Sequence, residues 1–181
     1  MLKLYGGARS RASIVQWYLE ELEVPYEFVL LDMQVGAHRP EFLAINPIGK
    51  VPAIVDGDFK LWESGAILLY LVEKYGKTPS LEQRAEFSQW VLFANATLGP
   101  GILVEASRER ETPLLLNPLN QMLEQQPFLL GEFSVVDVAV GSVLAYMMML
   151  KLDLTAYPAI LNYIKRLSEQ PAFQKSIGGR G

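Results

Sequence analysis

Asn46-Pro47-Ile48-Gly49-Lys50-Val51-Pro52-Ala53-Ile54-Val55, with Glu63-Ser64 a short way beyond it, is the stretch around which the rest of the chain is organised. Asn-Pro and the following Gly mark a turn. Val51-Pro52 then opens a short apolar run, Ala53-Ile54-Val55, that has the look of a strand. Pro52 has no N–H to give a sheet ladder, so its place is the first residue of a strand or an edge. The Val51-Pro52 bond at so tight an entry is a candidate for the cis form, a state the residues leave undecided. Outward-facing backbone groups at a sheet edge can pair with an extended, peptide-like ligand. Ser64 precedes an apolar helical run and reads as its N-cap. The unpaired N–H groups of that first turn make an anion site. Backbone held at Val51 and a carboxylate held at Ser64 together describe a small acidic peptide. Taken singly, Ser64 is an ordinary helix cap and Pro52 an ordinary loop former; it is the pair, at this spacing, that points to a ligand.

Outward from that stretch, Leu2-Lys3-Leu4-Tyr5 alternates as a half-buried strand would, and Gly6-Gly7 breaks it. Ile14, Val15, Tyr18, Leu19 and Leu22 share one face of a helix that Glu23-Val24-Pro25 ends. Residues 26–31 are β-rich, and Pro40-Glu41-Phe42-Leu43 opens with Pro as a short helical turn does. Asp56-Gly57-Asp58 between Ala53-Ile54-Val55 and Lys60-Leu61-Trp62 is a hairpin signal. The helix from Ser64 to Tyr75 is apolar almost all round and is expected to be buried against more than its own sheet. Residues 76–80 are a linker by composition. Beyond them helical periodicity runs from Leu81 to Arg110, with an irregularity at Leu98-Gly99-Pro100-Gly101. Further helical segments follow at 117–126, 134–150 and 158–168, then a frayed Gly-rich tail.

Bulk composition bounds the function classes. The chain has 181 residues, half of them apolar, which suits one large domain or two small ones with a substantial core. A formal charge of -4 leaves no basic footprint for nucleic acid. No charged-then-apolar leader and no uninterrupted membrane-length run are seen, so a soluble cytoplasmic protein is expected. Cysteine is absent. Any thiol chemistry must therefore use a ligand's sulfur, and disulfide reduction through a mixed disulfide with the protein is excluded. No His/Cys cluster has metal-ligand spacing, so no metal is expected.

These residues in this order resemble a cytosolic glutathione transferase. The likeness is carried by Leu4-Tyr5, by residues 19–26, by residues 40–53, by Trp62-Glu63-Ser64-Gly65-Ala66-Ile67 and by Ser134-Val135-Val136-Asp137. It covers the first half closely and the second half through the last motif. Short length and missing cysteine are most similar to the compact cyanobacterial, chi-type members. The resemblance implies an α/β thioredoxin-like domain of order βαβαββα over residues 1–75, a linker over 76–80 and an all-α domain over 81–181. It also implies glutathione as co-substrate, a homodimer with contacts at the 64–75 helix and Trp90 or Phe93, and conjugation to isothiocyanates or halonitroarenes, or reduction of organic peroxides. A carrier or scaffold that binds glutathione or hydrophobes without catalysis is the alternative, with a glutathione-dependent isomerase or dehalogenase as a third.

Within that resemblance Val51, after which Pro52 opens the strand, pairs with the cysteinyl backbone, while Glu63 and Ser64 take the γ-glutamyl end. His38 and Lys50 are candidates for the glycyl carboxylate, with Arg39 able to replace His38. A free thiol has a pKa of about 8.5, and lowering it by two units takes about 2.7 kcal/mol of preferential anion stabilisation. A hydroxyl or a cation near the sulfur can supply that. Ser10 at the loop-to-helix junction and Tyr5 at the end of the first strand are the leading candidates, nearly level, with Arg11 as assistant or as sole electrostatic stabiliser. Each has a plainer role open to it, as cap, core tyrosine or surface arginine. Ser134 and Asp137 form a capping box with a structural role. Residues 98–108 and the loop near Gly6 are candidate walls for a second substrate, and residues 146–149 read as core.

Overall fold

The computed structural model describes residues 1–8, 10–32 and 39–178. The chain divides into two compact units, one formed by Met1–Pro79 with the chain end from Ala172, the other by Ser80–Pro171.

In the first unit the alternating start becomes β1 (Leu2–Gly6), with Leu2 and Leu4 buried and Lys3 and Tyr5 half-buried. It lies between β2 (Tyr26–Leu30), to which it is parallel, and β3 (Ala53–Asp56), to which it is antiparallel; β4 (Phe59–Trp62) completes the order β2-β1-β3-β4. The β1–β2 crossover is helix α1 (Ala12–Glu21), whose Trp17 and Leu19 have no exposed surface. A Cβ on Gly6 would run into the Ala12 Cβ and the Phe28 ring, so only glycine lets strand and helix approach this closely. The hairpin between β3 and β4 closes on Asp56 opposite Phe59, with Gly57 at φ 63 in a two-residue loop. Short helix α2 (Pro40–Leu43) starts on its proline and buries Phe42. The long helix α3 (Ser64–Tyr75) buries Ile67, Leu68, Leu71 and Val72, while Leu69 and Tyr70 are only partly covered. This is the expected thioredoxin-like order.

β3 has neighbours on both sides, so of the two places open to Pro52, the start of a strand and a sheet edge, it is the start that forms. Val51 sits just ahead of it, so the backbone open to a ligand is at the strand's entry and not along a border. The Val51-Pro52 bond is cis.

The second unit is all helical. Its first helix, α4 (Leu81–Leu92), is capped by Ser80 and Gln83 reciprocally. It passes through a π-helical turn (Phe93–Leu98) into α5 (Gly99–Leu103). The expected segments 81–110 and 117–126 are not what forms. The break falls at Val104, in extended conformation, and α6 (Glu105–Gln125) runs without interruption through Pro113 and Pro118. Each proline removes one intrahelical N–H, yet burial of Leu116, Leu119 and Leu123 holds the helix together. Arg108 closes the break: its Nε donates to the Ile102 carbonyl at 2.8 Å and its Nη2 to that of Leu103 at 3.3 Å. Helices α7 (Val135–Met149) and α8 (Pro158–Ser168) complete the unit.

The capping box forms as expected, and its Asp137 does more. Wholly buried, its carboxylate accepts from the N–H groups of Leu129 and Ser134 and from the hydroxyls of Ser134 and Tyr163. A last helix that the sequence did not suggest, α9 (Pro171–Ser176), brings Phe173 edge-on to Trp17 at 5.0 Å in the first unit.

Candidate functional site

A cleft of about 370 Å³ opens in the first unit, lined by Arg11, Asn46, Lys50, Val51, Pro52, Glu63 and Ser64. Its volume falls in the ordinary range for small-molecule sites. Six of the residues expected at the site come together here: Lys50, Val51, Pro52, Glu63 and Ser64, with Arg11 from the start of α1. His38 lies outside the described residues.

The α3 end of the cleft differs in detail from the expectation. Ser64 is not the N-cap; it is the first residue of α3, buried, and the cap position belongs to Glu63. Glu63 adopts φ 73, a left-handed conformation that non-glycine residues enter at a cost. No side chain caps this terminus and no acid stands in its first turn. Its N–H groups therefore remain open to an anion, where the helix dipole also favours negative charge. Among the described residues, Arg11, Lys50 and Glu63 take part in no ion pair. The cleft thus presents two cations, one carboxylate and a helix terminus on one surface.

The other two thiol-activating candidates do not line the cleft. Ser10 Oγ accepts the N–H groups of Gly7 and Ala12, at 3.1 and 3.3 Å, and donates its one proton to the Gly7 carbonyl at 3.1 Å. Its geometry is that of a loop staple at the start of α1. Tyr5 packs its ring 5.8 Å from that of Phe42, in a cluster with Ala53, Val51 and Trp62. Arg11 is exposed and is the one of the three found in the cleft wall.

Asn46 is the member that sequence reasoning passed over. It is 2% exposed and lines the cleft. The signal was its place in the Asn-Pro turn, which was read as turn chemistry alone.

Of the residues considered as a second-substrate wall, Leu98 and Ile102 are wholly buried and Arg108 is committed to carbonyls, whereas Val104, Glu105 and Ala106 are exposed. Of residues 146–149, Met147 is core, whereas Met148 and Met149 are exposed at 45% and 54%. Trp90 and Phe93 stand edge to face at 5.6 Å and line a separate apolar groove of about 280 Å³ with Leu114, Pro118 and Met122. No helix among the described residues is long and apolar enough to cross a membrane.

Comparison with known proteins adds the following. A family model described as glutathione S-transferase, N-terminal domain, matches residues 1–73, and one described as glutathione S-transferase, C-terminal domain, matches residues 114–166. The chain is 35% identical to the disulfide-bond oxidoreductase YfcG of Escherichia coli K12, over 98% of this chain and 94% of that protein. It is 33% identical to the glutathione S-transferase GstB of the same organism, over 98% of both. Among solved structures, the glutathione transferase URE2P6 from Phanerochaete chrysosporium, in complex with oxidised glutathione, superposes with a TM-score of 0.87 at 30% identity, covering 99% of this chain and 96% of that one.

Proposed function

The chain belongs to the glutathione S-transferase family, and we propose that it binds glutathione in the cleft at Val51 and Ser64, ionises its thiol and transfers the sulfur to small electrophiles. One observation carries this: Arg11, Lys50 and Glu63, in no ion pair among the described residues, share a wall with the uncapped start of α3. Glutathione has the complementary charges, with two carboxylates and one ammonium on an extended backbone. The α3 terminus and Ser64 suit the γ-glutamyl carboxylate, Glu63 the ammonium, Lys50 the glycyl carboxylate, and the Val51 backbone the cysteinyl unit. His38 is proposed as a second partner for the glycyl carboxylate.

Arg11 is our choice for thiolate stabilisation, since a guanidinium stays charged at any working pH and favours the anion by direct attraction. With a halonitroarene, the C–S bond forms and the halide leaves with the bonding pair. With an isothiocyanate, carbon takes the sulfur and nitrogen takes a proton. The chain is proposed to act as a homodimer, and its compact length and lack of cysteine suit the chi-type group.

A second reaction is favoured by the 35% identity to a disulfide-bond oxidoreductase. With no cysteine in the chain, both thiols must be glutathione's: the first attacks the disulfide, the second resolves the mixed disulfide, and two thiols plus oxidised glutathione result. Titration with glutathione in a calorimeter, followed by parallel assays with a chlorodinitrobenzene and a dialkyl disulfide, tests the proposal. Binding with conjugation supports transfer. Binding with disulfide reduction alone supports the second reaction, binding with neither makes the chain a carrier, and no heat overturns all three.

A further inference from the structure

Asn46 places all four of its backbone and amide groups within one turn. Its N–H donates to the Phe42 carbonyl at 2.9 Å and its carbonyl accepts from Gly49 at 3.0 Å. Its Oδ1 accepts from the Ile48 N–H at 3.0 Å, and its Nδ2 donates to the Lys50 carbonyl at 2.6 Å. Phe42, at the root of this set, is core. The amide therefore ties the cleft's lip, residues 48–50, to the packed interior.

The last of these bonds has a directional consequence. The Lys50–Val51 peptide is trans, because the cis bond lies one residue later. In a planar trans peptide the C=O and the N–H point in opposite directions. Holding the Lys50 carbonyl on Asn46 therefore turns the Val51 N–H away from Asn46. Val51 precedes the first ladder pair of β3, and among the described residues its N–H makes no backbone hydrogen bond.

We propose that Asn46 is a positioning residue for the ligand: by fixing the Lys50 carbonyl it presents the Val51 N–H to the backbone of a bound peptide. This rests on the glutathione reading above and specifies which protein group orients the donor. The burial of Asn46 at 2% makes the tie stiff and keeps water from competing for it.

Two variants test it, each titrated calorimetrically with S-methylglutathione, which has no thiol to titrate. Asn46→Ala removes both amide bonds and is expected to weaken the dissociation constant about tenfold, the size of one or two ordinary hydrogen bonds. Asn46→Asp places an acceptor against the Lys50 carbonyl. It is expected to bind weakly at neutral pH and to recover as acid protonates the carboxyl, which can then donate in place of Nδ2. The unsubstituted chain shows no such recovery. A merely structural role would lower the unfolding midpoint or the active fraction and leave the constant of the folded fraction unmoved. Unchanged affinity in both variants overturns the inference, as does a weakened Asp variant with no acid recovery. If Asn46→Ala does not fold, the Asp variant decides alone. Failure of the unsubstituted chain to bind would instead remove the glutathione reading, and the inference with it, before any variant is made.

Discussion

The Tyr163 hydroxyl donates to the Asp137 carboxylate at 2.8 Å, and both side chains are withdrawn from solvent. Burial pushes the Asp137 carboxyl up, the Leu129 N–H, the Tyr163 hydroxyl and Ser134 pull it back, and burial prevails. The same burial, with Asp137 nearby, raises the Tyr163 phenol well above its ordinary range. Removing the acceptor leaves several buried donors unpaired, which is dearer than the bonds were worth. Asp137→Ala is expected to cost about 3 kcal/mol or more, since each buried donor left unpaired costs about 1–3 kcal/mol, and Tyr163→Phe about 1–3 kcal/mol, measured by urea unfolding. A loss below about 1 kcal/mol for Asp137→Ala would contradict this.

At the other end of the chain Asp56 gathers three donors on one oxygen: Tyr75 at 2.6 Å, Lys74 at 2.7 Å and Tyr70 at 2.9 Å. Burial alone would raise this carboxyl, but the Lys74, Tyr75 and Tyr70 bonds outweigh it and hold it below the usual carboxylate range. A depressed folded-state pKa means the contribution is present above the unfolded value of about 3.9 and is lost as pH falls through the folded one. The stability difference between the unsubstituted chain and Asp56→Asn is therefore expected to be constant from pH 7 to about 5 and to shrink below about pH 4. A difference that stays flat into acid would show that the cluster contributes nothing through charge.

Asn120, on α6, serves a helix that begins almost forty residues later. Its Oδ1 accepts the Ala159 and Ile160 N–H groups at 3.0 and 3.3 Å, at the start of α8, where no cap is supplied locally. Asn120→Ala should cost about 0.5–2 kcal/mol, as loss of a helix cap does. Asn120→Asp should recover only part of it: a carboxylate oxygen accepts the same bonds, but the Nδ2 bond to the Glu124 carboxylate at 2.8 Å is lost and two carboxylates then face each other.

Local chemistry was legible in the sequence. The Gly57 turn, the Pro40 start and the Ser134–Asp137 box each depend on residues within a few positions, and each formed as read. Features decided by distant packing were not. The gap expected between the helical segments 81–110 and 117–126 contains Pro113, yet it is helix, held by the burial of Leu116 and Leu119. The position of β3 inside the sheet follows from two pairings that no single segment announces. At the site, residue types were legible and directions were not. Glu63 at positive φ moves the cap one position ahead of Ser64, and nothing in a glutamate signals that backbone. Ser10 and Arg11 are adjacent, yet only the backbone between strand and helix decides which of them lines the cleft.

That division of roles separates three substitutions. Ser10→Ala and Tyr5→Phe are expected to change conjugation kcat/KM by less than about threefold once stability is allowed for, since neither hydroxyl is placed in the cleft. Arg11→Ala is expected to lower it about ten- to a hundredfold, the loss of one well-placed charged stabiliser. A large loss in Ser10→Ala with an unaltered Arg11 variant would reverse the assignment.

Most direct of all is the ionisation of bound glutathione, followed by the ultraviolet absorbance of its thiolate as pH is raised, with the unsubstituted chain and with Arg11→Ala. The expected result is a pKa clearly below the about 8.5 of a free thiol, moving back up by about one unit when the guanidinium is removed. A bound thiol that titrates like the free one, with or without Arg11, would contradict the account.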